Sequence, residues 1–494
     1  MPVAQRVKWK IAVTAVAAVA AGLGIFLAGF PRQFWHVPKR NVVLIVADAF
    51  RGDRIGYQRA QGGLRKSITP NLDRLASQGC LYERAMAPSS WTTISIASIL
   101  YNAPPTKVGY GAKGFFVDST NESITELLKK KGYYNAVISG NCVLDVPAVT
   151  KGFDYTFFSP GRARKGVNAR LYYRSSSELN KKAGLLRKQL RASKSFFLYV
   201  HYVDTHEPYF ALTEVMQTLG GMFDSEIFTT RINKAVQEGR QFLPHDLPPS
   251  QEKTEDAEAG AAEPARLGYT LEEALTRLKD HYDASVYETD RSVAALLAML
   301  DDSGLLDDTL VIFTSDHGEE FLDNAEDQRR WVGHNGNLSQ PQIHSPLIVW
   351  QKKGGAFTGA GSVTPPVSSA AVINGLIRGF SDGGNPADVV AETGRRWAPI
   401  VSALNFEGFN GFSYINGNVK IEGRFTDTGE FADVKAFNLA GAGGAVVTAA
   451  AAQLPAKLLL DVHAALRGQN APAFDQQNLT AGDQEKLRAL GYLN

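Results

Sequence analysis

Cysteine is almost missing from this chain: Cys80 and Cys142 are the only two among 494 residues. They stand far apart without Cys-x-x-Cys or Cys/His spacing, so neither a disulfide framework nor a zinc-finger-type site is indicated, although one bridge is open to them. An excess of either charge is missing too. The 52 Lys and Arg against 50 Asp and Glu leave a net charge of +2, which gives no broad footprint for nucleic acid, and that partner is set aside. Internal repeats are absent, which argues against a solenoid. What remains is 44% hydrophobic and 21% charged, a balance that buries a full core and excludes both disorder and a polytopic membrane protein.

One long apolar run stands out, from Ile11 to Phe30, with Thr14 as its only polar side chain. At about 1.5 Å per residue such a helix covers the roughly 30 Å hydrocarbon core. Arg6, Lys8 and Lys10 precede it and predict a cytoplasmic tail over 1–10, a transmembrane anchor over 11–30, a linker over 31–40, and a remainder facing the periplasm or exterior. A cleaved signal peptide is the alternative, but the run is long for one and no small-x-small site follows before Pro31.

Beyond the linker, continuous apolar runs alternate with helical patterns, which predicts an α/β fold: a mostly parallel sheet sandwiched by helices. Val42 to Ala47, Ala136 to Ser139, Phe196 to Val203 and Thr309 to Ser315 read as buried strands. Leu72 to Gln78, Ile124 to Lys131 and Ala284 to Leu300 read as helices, with Gly79 and Gly132 as stops. Residues 211–266 are polar and break the rhythm as an insertion in a domain spanning 41–353. From 354 to 494 Gly and Ala dominate, and a small C-terminal subdomain is expected, with Phe412 to Val419 as a candidate strand.

Polar residues collect where the strands end. Asp48 follows the first, Asp204 and His206 the third, and Asp316 and His317 the fourth. In open α/β sheets ligands bind beyond the carboxyl ends of the strands, so these residues should meet on one rim. A single Asp there is ordinarily a helix cap; several carboxylates and imidazoles together suit a divalent cation.

These segments, in this order, resemble the sulfatase-like branch of the alkaline phosphatase superfamily. The likeness runs through Asn41 to Asp53, Thr69 to Leu75, Ala87 to Ser98, Val203 to Tyr209, Thr314 to Glu320, Val332 to Asn335, His344 to Ile348 and the closing Leu487 to Tyr492. The resemblance implies one metal ion on Asp48, Thr92, Asp316 and His317; three oxygens and one imidazole suit zinc or manganese, and Ala49 in place of the second Asp of calcium-type members makes calcium less favoured still. It implies Thr92 as nucleophile at a helix start, His206 as the group that holds a phosphoryl oxygen or protonates the leaving group, and His334 and Lys113 as oxyanion partners. Asp204 and His344 are assigned to orienting neighbours, and His201 to the core.

Thr92 stands where sulfate-ester hydrolases of the family carry the Cys or Ser that becomes formylglycine. Thr cannot be so converted, and members with an unmodified Thr, such as lipoteichoic acid synthases and phosphoethanolamine transferases, act on phosphorus. The expected activity is therefore a metal-dependent phosphodiesterase or phosphotransferase, with a phosphorylated lipid or cell-envelope substrate outside the cytoplasmic membrane. A catalytically inactive scaffold and a sulfuric ester hydrolase are the alternatives. Ile94 and Ile96 replace the Pro and the Arg or His of the family pattern, and Tyr101-Asn102 replaces its Thr-Gly pair, which predicts a more apolar pocket beside Thr92.

Overall fold

The computed structural model describes residues 40–447 apart from 62–63, 112–113, 119–120, 160–173, 208, 210–270, 324–331, 354–360, 396–398, 407–408, 426–430 and 440–444. Lys113, the 211–266 insertion and the closing motif at 487–492 lie outside the described residues.

A nine-stranded sheet forms the frame. The strand Asn41–Ala47 lies at its centre, parallel to Thr309–Thr314 on one side and to Ser195–Tyr202 on the other. Tyr133–Ser139 and then Tyr155–Phe158 extend the parallel set beyond Ser195–Tyr202. Past Thr309–Thr314 comes His344–Gln351, the one antiparallel member, then Cys80–Met86, along which the two-residue strands Ser362–Val363 and Val367–Ser368 run parallel. The fold is α/β, with a mixed and mostly parallel sheet.

The central strand reads NVVLIVA and is buried throughout. Side chains alternate across a strand, so Val43, Ile45 and Ala47 enter one apolar cluster and Val42, Leu44 and Val46 another. The first cluster is closed by the helices Pro70–Gln78, Ser176–Leu185 and Leu271–Asp302, the second by Thr92–Tyr101, Ile124–Lys130 and Ser369–Ser381. Each fully buried Val, Leu or Ile contributes about 1.5–3 kcal/mol, so a strand apolar on both sides is stable only between two helical layers. Gly132 ends the helix before it at φ +81°, whereas Gly79 is needed for space: a Cβ there would lie 2.3 Å from the Val349 carbonyl.

Five strands of this sheet fall outside the sequence expectation, and the two longest of them break a local rule. His344–Gln351 contains Pro346, which lacks a ladder donor and sits at a register shift between Ser345 and Leu347. Cys80–Met86 carries Glu83 and Arg84, which interrupt its apolar pattern.

A separate antiparallel sheet is built from Ile400–Phe406, Phe409–Asn416, Val419–Phe425, Phe431–Asn438 and Ala445–Val447. The candidate strand Phe412 to Val419 crosses a real turn, because Gly417 has φ +64°. Cys80 and Cys142 are both buried, and no disulfide joins them.

The expectation of a single-pass membrane protein is corrected. Among the described residues no helix is long and apolar enough to cross a membrane, and residues 11–30, on which the expectation rested, lie outside them.

Candidate active site

Because the central strands are parallel, their carboxyl ends share one rim, and the residues that follow them meet there. Asp48 follows the central strand, Asp316 and His317 follow Thr309–Thr314, and Thr205 and His206 follow Ser195–Tyr202. The turn after Asp48 is held by strain: Ala49 adopts φ +59°, a left-handed conformation costing about 1–3 kcal/mol outside glycine. In return its N–H donates to Asp316 Oδ1 at 3.2 Å, and the His317 N–H donates to the same oxygen at 3.0 Å. Thr205 Oγ1 donates to the Asp48 carbonyl at 2.6 Å and ties in the third strand end.

Thr92 enters from the helix Thr92–Tyr101. It is the first helical residue, fully buried, and no side chain caps this end; the capping role is thus unfilled, and the helix N-terminus faces the site with its positive dipole end. Thr92 Oγ1 lies 3.2 Å from His317 Nε2 and 3.4 Å from Asp48 Oδ1. The structure therefore brings Asp48, Thr92, Asp316 and His317 together. His334 and His206 stand beside them as a row of imidazoles, with ring centroids 4.5 Å apart for His317 and His334 and 4.6 Å for His334 and His206. His334 Nδ1 lies 3.1 Å from Glu319 Oε1.

Asp204 and His344 are elsewhere. Asp204 accepts from the Ser176 N–H at 3.0 Å, at the start of the helix Ser176–Leu185. His344 Nε2 donates to the Glu83 carbonyl at 2.8 Å and packs where a Cβ on Gly52 would be, 2.7 Å away. Ile94 and Ile96 lie in apolar clusters of the core, so their bulk fills the interior.

Two residues were missed from sequence. His201 was read as a core histidine, and it is fully buried, but its Nε2 lies 3.0 Å from Asp48 Oδ2 while its Nδ1 meets the Tyr199 hydroxyl at 2.7 Å. An imidazole at the carboxyl end of a buried strand was the available signal. Asn141 donates to Asp48 Oδ2 at 2.7 Å; it follows the strand Tyr133–Ser139, where the same strand-end rule would have found it.

The electrostatics call for a cation. Burial alone would raise the Asp48 carboxyl, but His206, the hydrogen-bonded His201 and His317 outweigh it and hold it well below the usual range. For Asp316 burial and then the Asp48 charge win, and its carboxyl is raised. Burial lowers His317, and burial with His206 lowers His334 to about 3, while burial raises Glu319 well above the ordinary value. The neutral His317 ring carries its proton on Nδ1, since that nitrogen lies 3.0 Å from the Gly318 carbonyl, which only accepts. Its Nε2 lone pair then faces Asp48 Oδ1 and Asp316 Oδ2, both at 3.5 Å.

Three lone-pair donors pointing at one another repel unless positive charge lies between them. Among the described residues no hydrogen-bond partner meets Asp316 Oδ2, although it is buried. Asp48, His201 and Asp316 moreover offer ligand atoms all within 4.8 Å of one another. Carboxylate and imidazole donors so arranged fit a divalent ion, a set compatible with zinc or manganese among others.

Comparison with known proteins places the chain in a family. The family model "Sulfatase" matches residues 40–377. An ulvan-active sulfatase of Formosa agariphila is 24% identical over 57% of this chain and 51% of its own. A multifunctional alkaline phosphatase superfamily protein of Trinickia caryophylli is 25% identical over 58% and 64%. The chain thus spans about half to two thirds of the length of these relatives. Among solved structures, the phosphonate monoester hydrolase of Silicibacter pomeroyi shares the fold with a TM-score of 0.57 at 17% identity, over 88% of this chain and 97% of that one. Enzymes of this superfamily bind a divalent metal, and this chain has a buried Asp-His-Asp group that could hold one. With the family model covering more than half of its length and the strand-end residues assembled on one rim, this chain belongs to the sulfatase family.

Proposed function

We propose that the chain is a metal-dependent hydrolase or transferase that attacks a phosphodiester or phosphoryl-linked headgroup through Thr92. The observation that carries this reading is the placement of an unmodified threonine hydroxyl, buried at an uncapped helix N-terminus, 3.2 Å from His317 Nε2 and 3.4 Å from Asp48 Oδ1. A divalent ion held by Asp48, Asp316, His317 and Thr92, with His201 beside them, would act as a Lewis acid that lowers the hydroxyl's pKa.

Asp48 Oδ1 is the close acceptor for the Thr92 proton, since the single lone pair of His317 Nε2 would be given to the ion. Thr92 Oγ1 forms a bond to phosphorus as the bond to the leaving oxygen breaks, and His206 supplies that oxygen's proton. His334 and Lys113 steady the phosphoryl oxygens, with the N–H groups of the helix start, which no side chain caps. Water or an acceptor alcohol then attacks phosphorus and frees Thr92. A phosphorylated lipid or cell-envelope polymer supplies such an ester.

Sulfate esters are the second reading, favoured by matched relatives named as sulfatases. Chemistry weighs against it here, because a sulfated threonine has no geminal hydroxyl with which to expel sulfate. The test compares aryl phosphodiester and aryl sulfate hydrolysis with zinc or manganese supplied, and seeks a phosphorylated peptide containing Thr92 by mass spectrometry. Thr92→Ala should abolish adduct and turnover, and Thr92→Ser should keep part of both. Undiminished turnover in Thr92→Ala would end the nucleophile assignment, and faster sulfate hydrolysis would favour the second reading.

A further inference from the structure

Lys420 is an ammonium where a side chain of the sheet interior would serve more cheaply. It lies on Val419–Phe425 and is 2% exposed, paired with the equally secluded Glu422. Taking two charges out of water is costly, and an apolar pair of similar volume often replaces such a bridge without loss of stability. The packing of the five-stranded sheet therefore does not account for the lysine.

What Lys420 reaches outside its own sheet is the loop that carries His334. Its Nζ donates to the Leu338 carbonyl at 2.7 Å. The same loop is gripped from two further sides. Ser90 Oγ, two residues before Thr92, donates to the Asn337 carbonyl at 2.8 Å, and Ser339 Oγ meets Glu320 Oε2 at 2.5 Å, just beyond the Asp316–His317 turn. Within the loop Asn335 sits at φ +66°, a conformation that needs outside support. The five-stranded sheet also braces the nucleophile segment, through Ser402 Oγ to the Ala87 carbonyl at 2.7 Å and the Ala403 N–H to the Pro88 carbonyl at 3.0 Å.

We propose that Lys420 is a positioning residue: from the C-terminal sheet it fixes residues 334–339 and thereby holds the His334 ring against His317 and His206. Its effect on turnover rests on the function proposed above; its effect on the loop does not.

The test uses the full chain in four forms: wild type, Lys420→Met, Lys420→Arg, and the double variant Lys420→Met with Glu422→Met, which leaves no unpaired buried charge should the single variant fail to fold. Hydrogen exchange is read on peptides covering 332–343 and, as reference, 195–206. We expect at least about 10-fold faster exchange confined to 332–343 in both Met-bearing variants, with Lys420→Arg close to wild type. Turnover of the ester should fall about 10²-fold, the size of effect expected when a catalytic group shifts by about 1 Å, with bound metal and the unfolding midpoint of the double variant unchanged. Orthovanadate should bind more weakly in the same variants. Exchange that is unchanged, or raised equally in both peptides, would overturn the proposal, and so would local loosening with kcat and vanadate affinity intact. If wild type turns over no ester, the exchange and vanadate readings still decide it.

Discussion

Replacing Asp316 by Asn should stabilise the metal-free protein and destabilise the metal-loaded one. Asp48 and Asp316 are two buried carboxylates whose ligand atoms lie within 4.8 Å. At an effective dielectric of about 20, unit charges at that separation repel by about 3.5 kcal/mol. Burial and then Asp48 raise the Asp316 carboxyl, which relieves part of this repulsion, so the gain left for Asp316→Asn is on the order of 1–2 kcal/mol. An amide also offers an N–H to the His317 Nε2 lone pair, now 3.5 Å from Asp316 Oδ2. With zinc or manganese at a hundred times its Kd the wild type should gain about 2.7 kcal/mol, a gain the variant should largely lose. Chemical denaturation of both proteins, with chelator and with metal, would follow tryptophan fluorescence. The order of stabilities should invert between the two conditions. Equal destabilisation of Asp316→Asn in both would refute the argument, because it would mean that no cation relieves the carboxylate pair.

Three further outcomes follow from the geometry. His201→Ala should weaken metal binding about 10–100-fold and Tyr199→Phe less, as removal of a partner beside a metal ligand typically does; competition against a chelator measures this, and unchanged affinity in His201→Ala would remove it from the site. Gly318→Ala places a Cβ 2.0 Å from the Pro341 carbonyl, a backbone clash that should cost about 1–3 kcal/mol or more and appear as a lower denaturation midpoint. Burial raises the Asp204 carboxyl from its ordinary 3.8 to about 7, so the folded state binds the extra proton and stability from this group is full below about pH 4 and lost as pH rises through about 7. Asp204→Asn should flatten that slope, and an unaltered pH profile would show that the carboxyl titrates normally.

The sequence by itself determined the parts of this protein that depend on short stretches of chain. A run such as Val42 to Ala47, apolar at every position, has no stable setting except between two helical layers, and so it announced a mostly parallel sheet. The polar residues ending such runs then had to share a rim, which is why Asp48, Asp316, His317 and His206 were legible, and Thr92 with them from the ordered resemblance. Where a local rule was broken the sequence fell silent: Pro346 hid the antiparallel strand His344–Gln351, and Glu83 and Arg84 hid Cys80–Met86. Gly417 placed a turn inside what read as a single strand.

Only the tertiary structure decided which way each side chain faces and what it meets across the rim. His201 looks from sequence like any histidine in an apolar strand, yet the register that pairs it with Val46 brings Nε2 to Asp48. His344 and Asp204 carry the same chemistry as the site residues but turn to backbone partners instead. Lys420, 328 positions beyond Thr92 in the chain, comes to the loop of His334 through a sheet of which local pattern marked only the stretch Phe412 to Val419. Composition and periodicity fix what a segment buries; which distant groups share one small, water-poor volume is set by strand order and register, and there the charges of Asp48 and Asp316 acquire their need for a cation.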